Sequence, residues 1–143
     1  MYFMQPMTIT ASATLDRDVH AGTVVNLSAA AGLTVTLPAA SGKGDLYKLF
    51  VATTITSNNY IIQVANASDT IAGIATTATT TTGAGTHEAA GGTDDTITLN
   101  GTTSGGIIGS YIEIEDVGAN LWRVNAHLVG SGTLITPFSA AVS

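Results

Sequence analysis

The side chains whose grouping could serve acid–base work or metal binding are the clustered carboxylates Asp94, Asp95, Glu113, Glu115 and Asp116 and the three histidines His20, His87 and His127. A carboxylate pair cleaves glycosides when the two groups stand about 5–10 Å apart across a cleft. Such a cleft needs aromatic walls. Glu113 and Glu115 share one face of an alternating segment, but Trp122 is the single tryptophan in the chain. Solvated charge, or pairing with Arg123 on a neighbouring strand, is the simpler role for them. Calcium loops gather oxygens from alternating acidic positions. Asp94 and Asp95 are adjacent, so in an extended chain they point to opposite sides, and no Asp-x-Asp-x-Asp-Gly run occurs. The histidines are scattered without a His-Glu-x-x-His pair. His87-Glu88 lies among Gly and Thr as a solvated loop tip. His127 alternates with Arg123 and Asn125 on a polar face. A phosphate-cradling loop fails twice: Leu37 stands where its first glycine belongs, and Gly44 follows Lys43 where Ser or Thr is required. Gly130-Ser131-Gly132 is too short for a nucleophile elbow. There is no cysteine, so thiol catalysis, thiolate metal sites and disulfides are excluded. These residues yield no catalytic, cofactor-binding or metal-binding set, and the chain reads as non-enzymatic.

The elements that would carry these side chains follow from pattern. Ile9, Ala11, Ala13 and Leu15 alternate with polar residues, as do Leu33, Val35 and Leu37, then Ile97 and Leu99, then Ile112 and Ile114. From Leu121 to Leu128 the alternation puts Trp122, Val124, Ala126 and Leu128 on an apolar face and Arg123, Asn125 and His127 on a polar one. A period of two is the signature of half-buried strands. Leu46–Ala52 and Tyr60–Ala65 are more continuously apolar, which suits central strands or strands at a subunit contact. Gly- and Asn-rich punctuation separates the runs, as at Ser41-Gly42-Lys43-Gly44-Asp45, Ser57-Asn58-Asn59 and Asn100-Gly101. Ser28-Ala29-Ala30-Ala31 is the best helix window, but Gly32 stops it after four residues, so it reads as a turn. The Thr-rich segment Ala75–Gly92 reads as a long hairpin. The expected fold is an all-β, single-domain antiparallel sandwich or barrel-like domain over residues 9–143, preceded by an N-terminal arm over residues 1–8. The first seven residues hold all three methionines with Tyr2 and Phe3. They are either a loose terminus or an apolar arm that docks on a neighbouring subunit.

Composition narrows the function. The 143 residues include only 10% charged, against about 25% in an average soluble domain. Four Lys and Arg against ten Asp and Glu give a net charge of −6, which argues against nucleic-acid binding. Threonine, 24 residues by count, replaces charge as the wetting group. Its branched side chain suits a pleated surface. The charge-free windows Leu49–Ser68 and Val124–Ser143 are interrupted by polar residues, so no membrane-spanning helix is expected. The N-terminus lacks a basic region and an apolar run, so no secretory signal is expected there. Three Asn-x-Ser/Thr sequons, at Asn26, Asn66 and Asn100, follow from Ser and Thr abundance.

The stretch Gly32-Leu-Thr-Val-Thr-Leu-Pro-Ala-Ala-Ser-Gly-Lys-Gly44 is followed by Tyr47-Lys-Leu-Phe-Val51. Then come Asp95-Thr-Ile-Thr-Leu-Asn-Gly-Thr-Thr-Ser-Gly-Gly106, Tyr111-Ile-Glu-Ile-Glu-Asp116, Trp122-Arg-Val124 and Thr136-Pro-Phe138. In this order they resemble small virion structural proteins of tailed bacteriophages, of the head decoration or cement kind. The resemblance covers residues 20–140 and is compositional in character. It implies a homotrimer on the outer capsid surface of the virion, a capsid-stabilising role, and the major capsid protein as partner. Low charge and many hydroxyls suit the large static interface this would require. Under that resemblance the expected contact residues are Tyr2, Phe3, Met4, Pro6 and Met7 of the arm and Pro137 and Phe138 of the tail. Two other readings stay open. One is a phage fibre or tail module. The other is a carbohydrate-binding sandwich for host attachment, whose platform would have to come from Trp122, Tyr2, Tyr47, Tyr60 or Tyr111.

Overall fold

The computed structural model describes residues 5–143. Twelve strands and one short helix follow in order: β1 (Met7–Ile9), β2 (Ala13–Thr14), α1 (Arg17–His20), β3 (Val24–Leu27), β4 (Leu33–Thr36), β5 (Leu46–Val51), β6 (Tyr60–Gln63), β7 (Thr70–Thr79), β8 (Thr86–Ala89), β9 (Thr96–Leu99), β10 (Tyr111–Gly118), β11 (Leu121–Gly130) and β12 (Phe138–Ser139). They form two packed sheets. The larger has the order β1-β3-β5-β10-β11-β7-β8 and the smaller β12-β9-β6-β4-β2. The all-β sandwich expected from period-two patterning is therefore present. Its two sheets are mixed rather than antiparallel throughout.

The parallel pairs arise from how the chain winds. From β1 to β6 successive strands alternate between the sheets, so β1, β3 and β5 stack in parallel on one side while β2, β4 and β6 stack in parallel on the other. Parallel neighbours need a long crossover. Here each crossover contains a strand of the opposite sheet, and short turns suffice to change sheets. These turns stack tightly on one another. At Gly32 (φ +89°) a Cβ would lie 2.6 Å from the backbone oxygen of Asn59 in the next turn. The hairpins β7–β8 and β10–β11 are antiparallel, and β7 lies parallel beside β11 over its full ten residues. The Thr-rich segment thus forms the hairpin its composition suggested.

Burial follows the sequence parity. On β11 the pattern alternates strictly, with Trp122, Val124, Ala126 and Leu128 buried and Arg123, Asn125 and His127 exposed. The core between the sheets combines these residues with Leu27, Val35, Leu49, Tyr60, Ile62, Ile97, Leu99, Ile112 and Ile114. The Tyr60 hydroxyl donates to the Thr53 carbonyl at 2.8 Å and accepts from the Ala29 N–H at 2.9 Å, tying two turns together. The Ser28–Ala31 segment is a turn. The helix lies elsewhere, where the Asp16 carboxylate caps a single turn by accepting from the Asp18 N–H at 2.8 Å.

Gly73 marks the closest approach of two strands. Its φ is +146°, and a Cβ there would run into the Val124 carbonyl of β11. Gly73→Ala is expected to cost about 2–4 kcal/mol through backbone strain and overpacking. A urea titration followed by circular dichroism measures it. An unchanged midpoint would contradict this account of the β7–β11 contact.

Candidate functional site

The sandwich presents two outward faces with different chemistry. The five strands of the smaller sheet contain no charged residue. Register places Thr14, Thr36 and Gln63 in one row and Thr34, Ile61 and Thr98 in the next. Two shallow hollows lie on this side. One, of about 290 Å³, runs along Ser12–Thr14 and the outward threonines of β4, and the other, of about 410 Å³, adds Gly32, Asn58, Asn59 and Ile61. This face is uncharged and studded with hydroxyls that can donate and accept.

The larger sheet carries the charge. Across its centre, register aligns Lys48, Glu113 and Asn125 in one row and Leu46, Glu115 and Arg123 in another. Arg123 donates to the Glu115 carboxylate across the β10–β11 pair, the partnership the alternating pattern suggested. A third row aligns Phe50, Tyr111, His127, Thr76 and His87. The Tyr111 and His127 rings stack, with centroids 5.1 Å apart and planes 20° off parallel. His87 lies within 3.1 Å of the Thr76 hydroxyl. It belongs to β8, not to a loop tip. A hollow of about 270 Å³ opens over β3, β5 and β10, lined by Val24, Lys48, Leu49, Phe50, Tyr111 and Glu113.

Of the residues expected to make contacts, Tyr2, Phe3 and Met4 lie outside the described residues. Pro6 is exposed, and Met7 is half-buried at the start of β1, paired in parallel with Val25 of the chain's own sheet. Pro137 and Phe138 are buried. Phe138 opens β12, pairs with Ile97 and joins the core. As a clasp on a neighbour these two are unavailable, because their apolar surface is already used to seal the smaller sheet. Asp95 reinforces that seal. Its carboxylate accepts from the Ala141 and Val142 N–H groups and from the Thr96 hydroxyl, at 2.8, 3.2 and 2.7 Å. Asp95 is thereby a fastener for the tail, while Asp94 accepts from the Gly91 N–H at 2.7 Å in its own turn.

Among the aromatic candidates, Trp122, Tyr47 and Tyr60 are buried, and Tyr111, 39% exposed, is the tyrosine presented at the surface among the described residues. The Tyr111–His127 stack and the uncharged smaller face were not anticipated from sequence. Both depend on which strands become neighbours, and parity alone does not give that.

Among the described residues no group of three or more His, Asp or Glu side chains comes together to hold a metal ion. No helix among them is long and apolar enough to cross a membrane. Comparison with known proteins finds no matching family model, no matching curated protein and no matching solved structure.

Proposed function

We propose that this chain is a non-enzymatic virion structural protein that decorates the outer surface of a phage capsid, as a homotrimer, and stabilises it by bridging neighbouring major capsid subunits. The observation that best supports this reading is the charge-free outward face of the smaller sheet. A permanent interface must desolvate whatever it covers. Burying a charge without a partner costs far more than burying a hydroxyl that finds a hydrogen bond. The cores of interfaces are accordingly depleted in charge. A face of Thr14, Thr34, Thr36, Ile61, Gln63 and Thr98 meets that requirement. The charges of the larger sheet then face away from the shell. The N-terminal segment adds a second contact route. It enters β1 at the rim of the larger sheet, where main-chain groups can pair with an added strand.

The test is cosedimentation with undecorated, expanded capsids of the parent particle, after sizing coupled to light scattering. The expected result is a species of three chains that saturates the shells and raises their disruption temperature. A folded protein that stays in the supernatant would reject the reading. Recovery with tail or fibre fractions instead would reassign it to a fibre module.

A further inference from the structure

We propose that the hollow over β3, β5 and β10 on the larger sheet is a binding site for a neutral saccharide, with Tyr111 as its stacking platform. The site lies on the face opposite the proposed capsid contact and does not depend on that contact. Tyr111 stands on β10, between β5 and β11. His127 of β11 covers one side of the Tyr111 ring at 5.1 Å. The hollow is lined by Tyr111 together with Phe50, Val24 and Lys48, from β10, β5 and β3, and by no residue of β11. A flat apolar surface braced from behind suits the C–H face of a pyranose. The ring loses little freedom on binding because His127 already restricts it.

The polar groups select the class of ligand. Lys48 and Glu113 are directly opposite each other in register and both line the hollow. The ion pairs among the described residues are Arg17–Asp45 and Arg123–Glu115, so Lys48 and Glu113 are not bound to each other. One offers donors and the other acceptors. A sugar hydroxyl is both donor and acceptor, so neighbouring hydroxyls of one ring can accept from the Lys48 ammonium and donate to the Glu113 carboxylate. The two charges cancel, which matches an uncharged ligand. A polyanion would meet Glu113, the neighbouring Glu115 and a chain of net charge −6. The volume of about 270 Å³ fits one sugar residue, with the open sheet surface beside it free for the rest of a chain.

The experiment uses the full chain on an array of neutral oligosaccharides of glucose, galactose, mannose and N-acetylglucosamine. The best binder is then titrated by calorimetry against wild type, Tyr111→Ala, Tyr111→Phe and Glu113→Gln. Tyr111→Ala is expected to weaken binding about tenfold or more, and Tyr111→Phe to retain most of it, because stacking needs the ring and not the hydroxyl. Glu113→Gln is expected to weaken binding several-fold, with melting temperatures unchanged throughout. No retention of any neutral oligosaccharide by the wild type would overturn the proposal. So would binding that Tyr111→Ala leaves unaltered, or selective binding of sialylated and sulfated glycans spotted on the same array.

Discussion

Trp122→Ala is expected to remove about 3–5 kcal/mol from the stability of the fold. Few other single changes should cost as much, since whole domains are stable by only about 5–15 kcal/mol. Trp122 is 1% exposed and sits between Asp116 of β10 and Ile71 of β7 in register, so its ring packs on the larger sheet's inner face near the end where β10 turns into β11. It packs against Tyr47 with ring centroids 5.9 Å apart and planes tilted by 58°. Deleting it leaves a cavity that two rigid sheets cannot close. The same pair carries a weakness. Among the described residues, neither the Tyr47 hydroxyl nor the Trp122 indole N–H has a hydrogen-bond partner. Burial pushes the Tyr47 phenol up to about 12, and the nearby Asp45 and Asp16 carboxylates push it the same way. Tyr47→Phe removes a buried group with no partner and keeps the ring. It is expected to be neutral or to stabilise by up to about 1 kcal/mol. Chemical denaturation of both variants checks this, and a strongly destabilised Tyr47→Phe would show that the hydroxyl is satisfied after all.

Asp116→Asn is expected to cost roughly 2–3 kcal/mol, because it weakens hydrogen bonds to a charged acceptor. Asp116 lies at the end of β10, 2% exposed. Its carboxylate accepts from the Ser41 N–H at 2.9 Å, the Ser41 hydroxyl at 2.9 Å, the Gly42 N–H at 2.6 Å and the Lys43 N–H at 3.4 Å. The Ser41–Lys43 turn is wrapped around this one anion and is thereby pinned to the β10–β11 hairpin. Burial opposes ionisation of the carboxyl, but these donors outweigh it and hold Asp116 below its ordinary value. Asp95 behaves alike: burial opposes its charge, while Ala141, Thr96 and Val142 outweigh that cost. A carboxyl whose folded-state value is depressed stabilises the fold above its unfolded value of about 3.9, and loses that contribution as pH falls through the folded value. The melting temperature should therefore be flat near neutrality and fall steeply below about pH 4. In Asp116→Asn the neutral-pH melting temperature should drop by roughly 10 °C and the acid slope should flatten. Calorimetry from pH 2 to 7 reads both, and an unchanged acid slope would contradict the role given to Asp116.

Much of the fold was legible because sheet burial repeats every two residues. The alternation at Leu121–Leu128 fixed which side of β11 is buried, and with it the burial of Trp122 and the exposure of Arg123, Asn125 and His127. Turn chemistry located the breaks, and Thr abundance matched the half-buried outer positions. The strand directions were not legible. Antiparallel pairing was expected, whereas the chain changes sheet at every connection from β1 to β6 and stacks parallel neighbours. Parity within a strand carries no information about which strand lies beside it. The Asp116 anchor was hidden for the same reason. Its partners are 73–75 residues away in sequence, and in isolation Glu113, Glu115 and Asp116 looked like one acidic cluster. Fold topology divides them: Glu115 pairs with Arg123, Glu113 lines the hollow beside Tyr111, and Asp116 turns inward. Contact by the tail residues Pro137 and Phe138 was an expectation from the resemblance, not from the residue pattern. Their own smaller sheet needed an edge, and β12 supplies it.

The two outward faces give the account its functional shape. A charge-free face suits permanent burial against a partner, and a charged face with an exposed aromatic suits contact with solvent-borne ligands. Placing one lysine on each face separates these roles. Thr36→Lys puts a cation on the outward side of β4, and Asn125→Lys puts one on the exposed side of β11. Both positions face outward, so both variants should fold. The decisive measurement is cosedimentation of wild type, Thr36→Lys and Asn125→Lys with undecorated capsids at matched concentrations. Wild type and Asn125→Lys are expected to saturate the shells while Thr36→Lys stays in the supernatant. Equal binding of Thr36→Lys, or loss of binding in Asn125→Lys alone, would contradict this assignment of the faces.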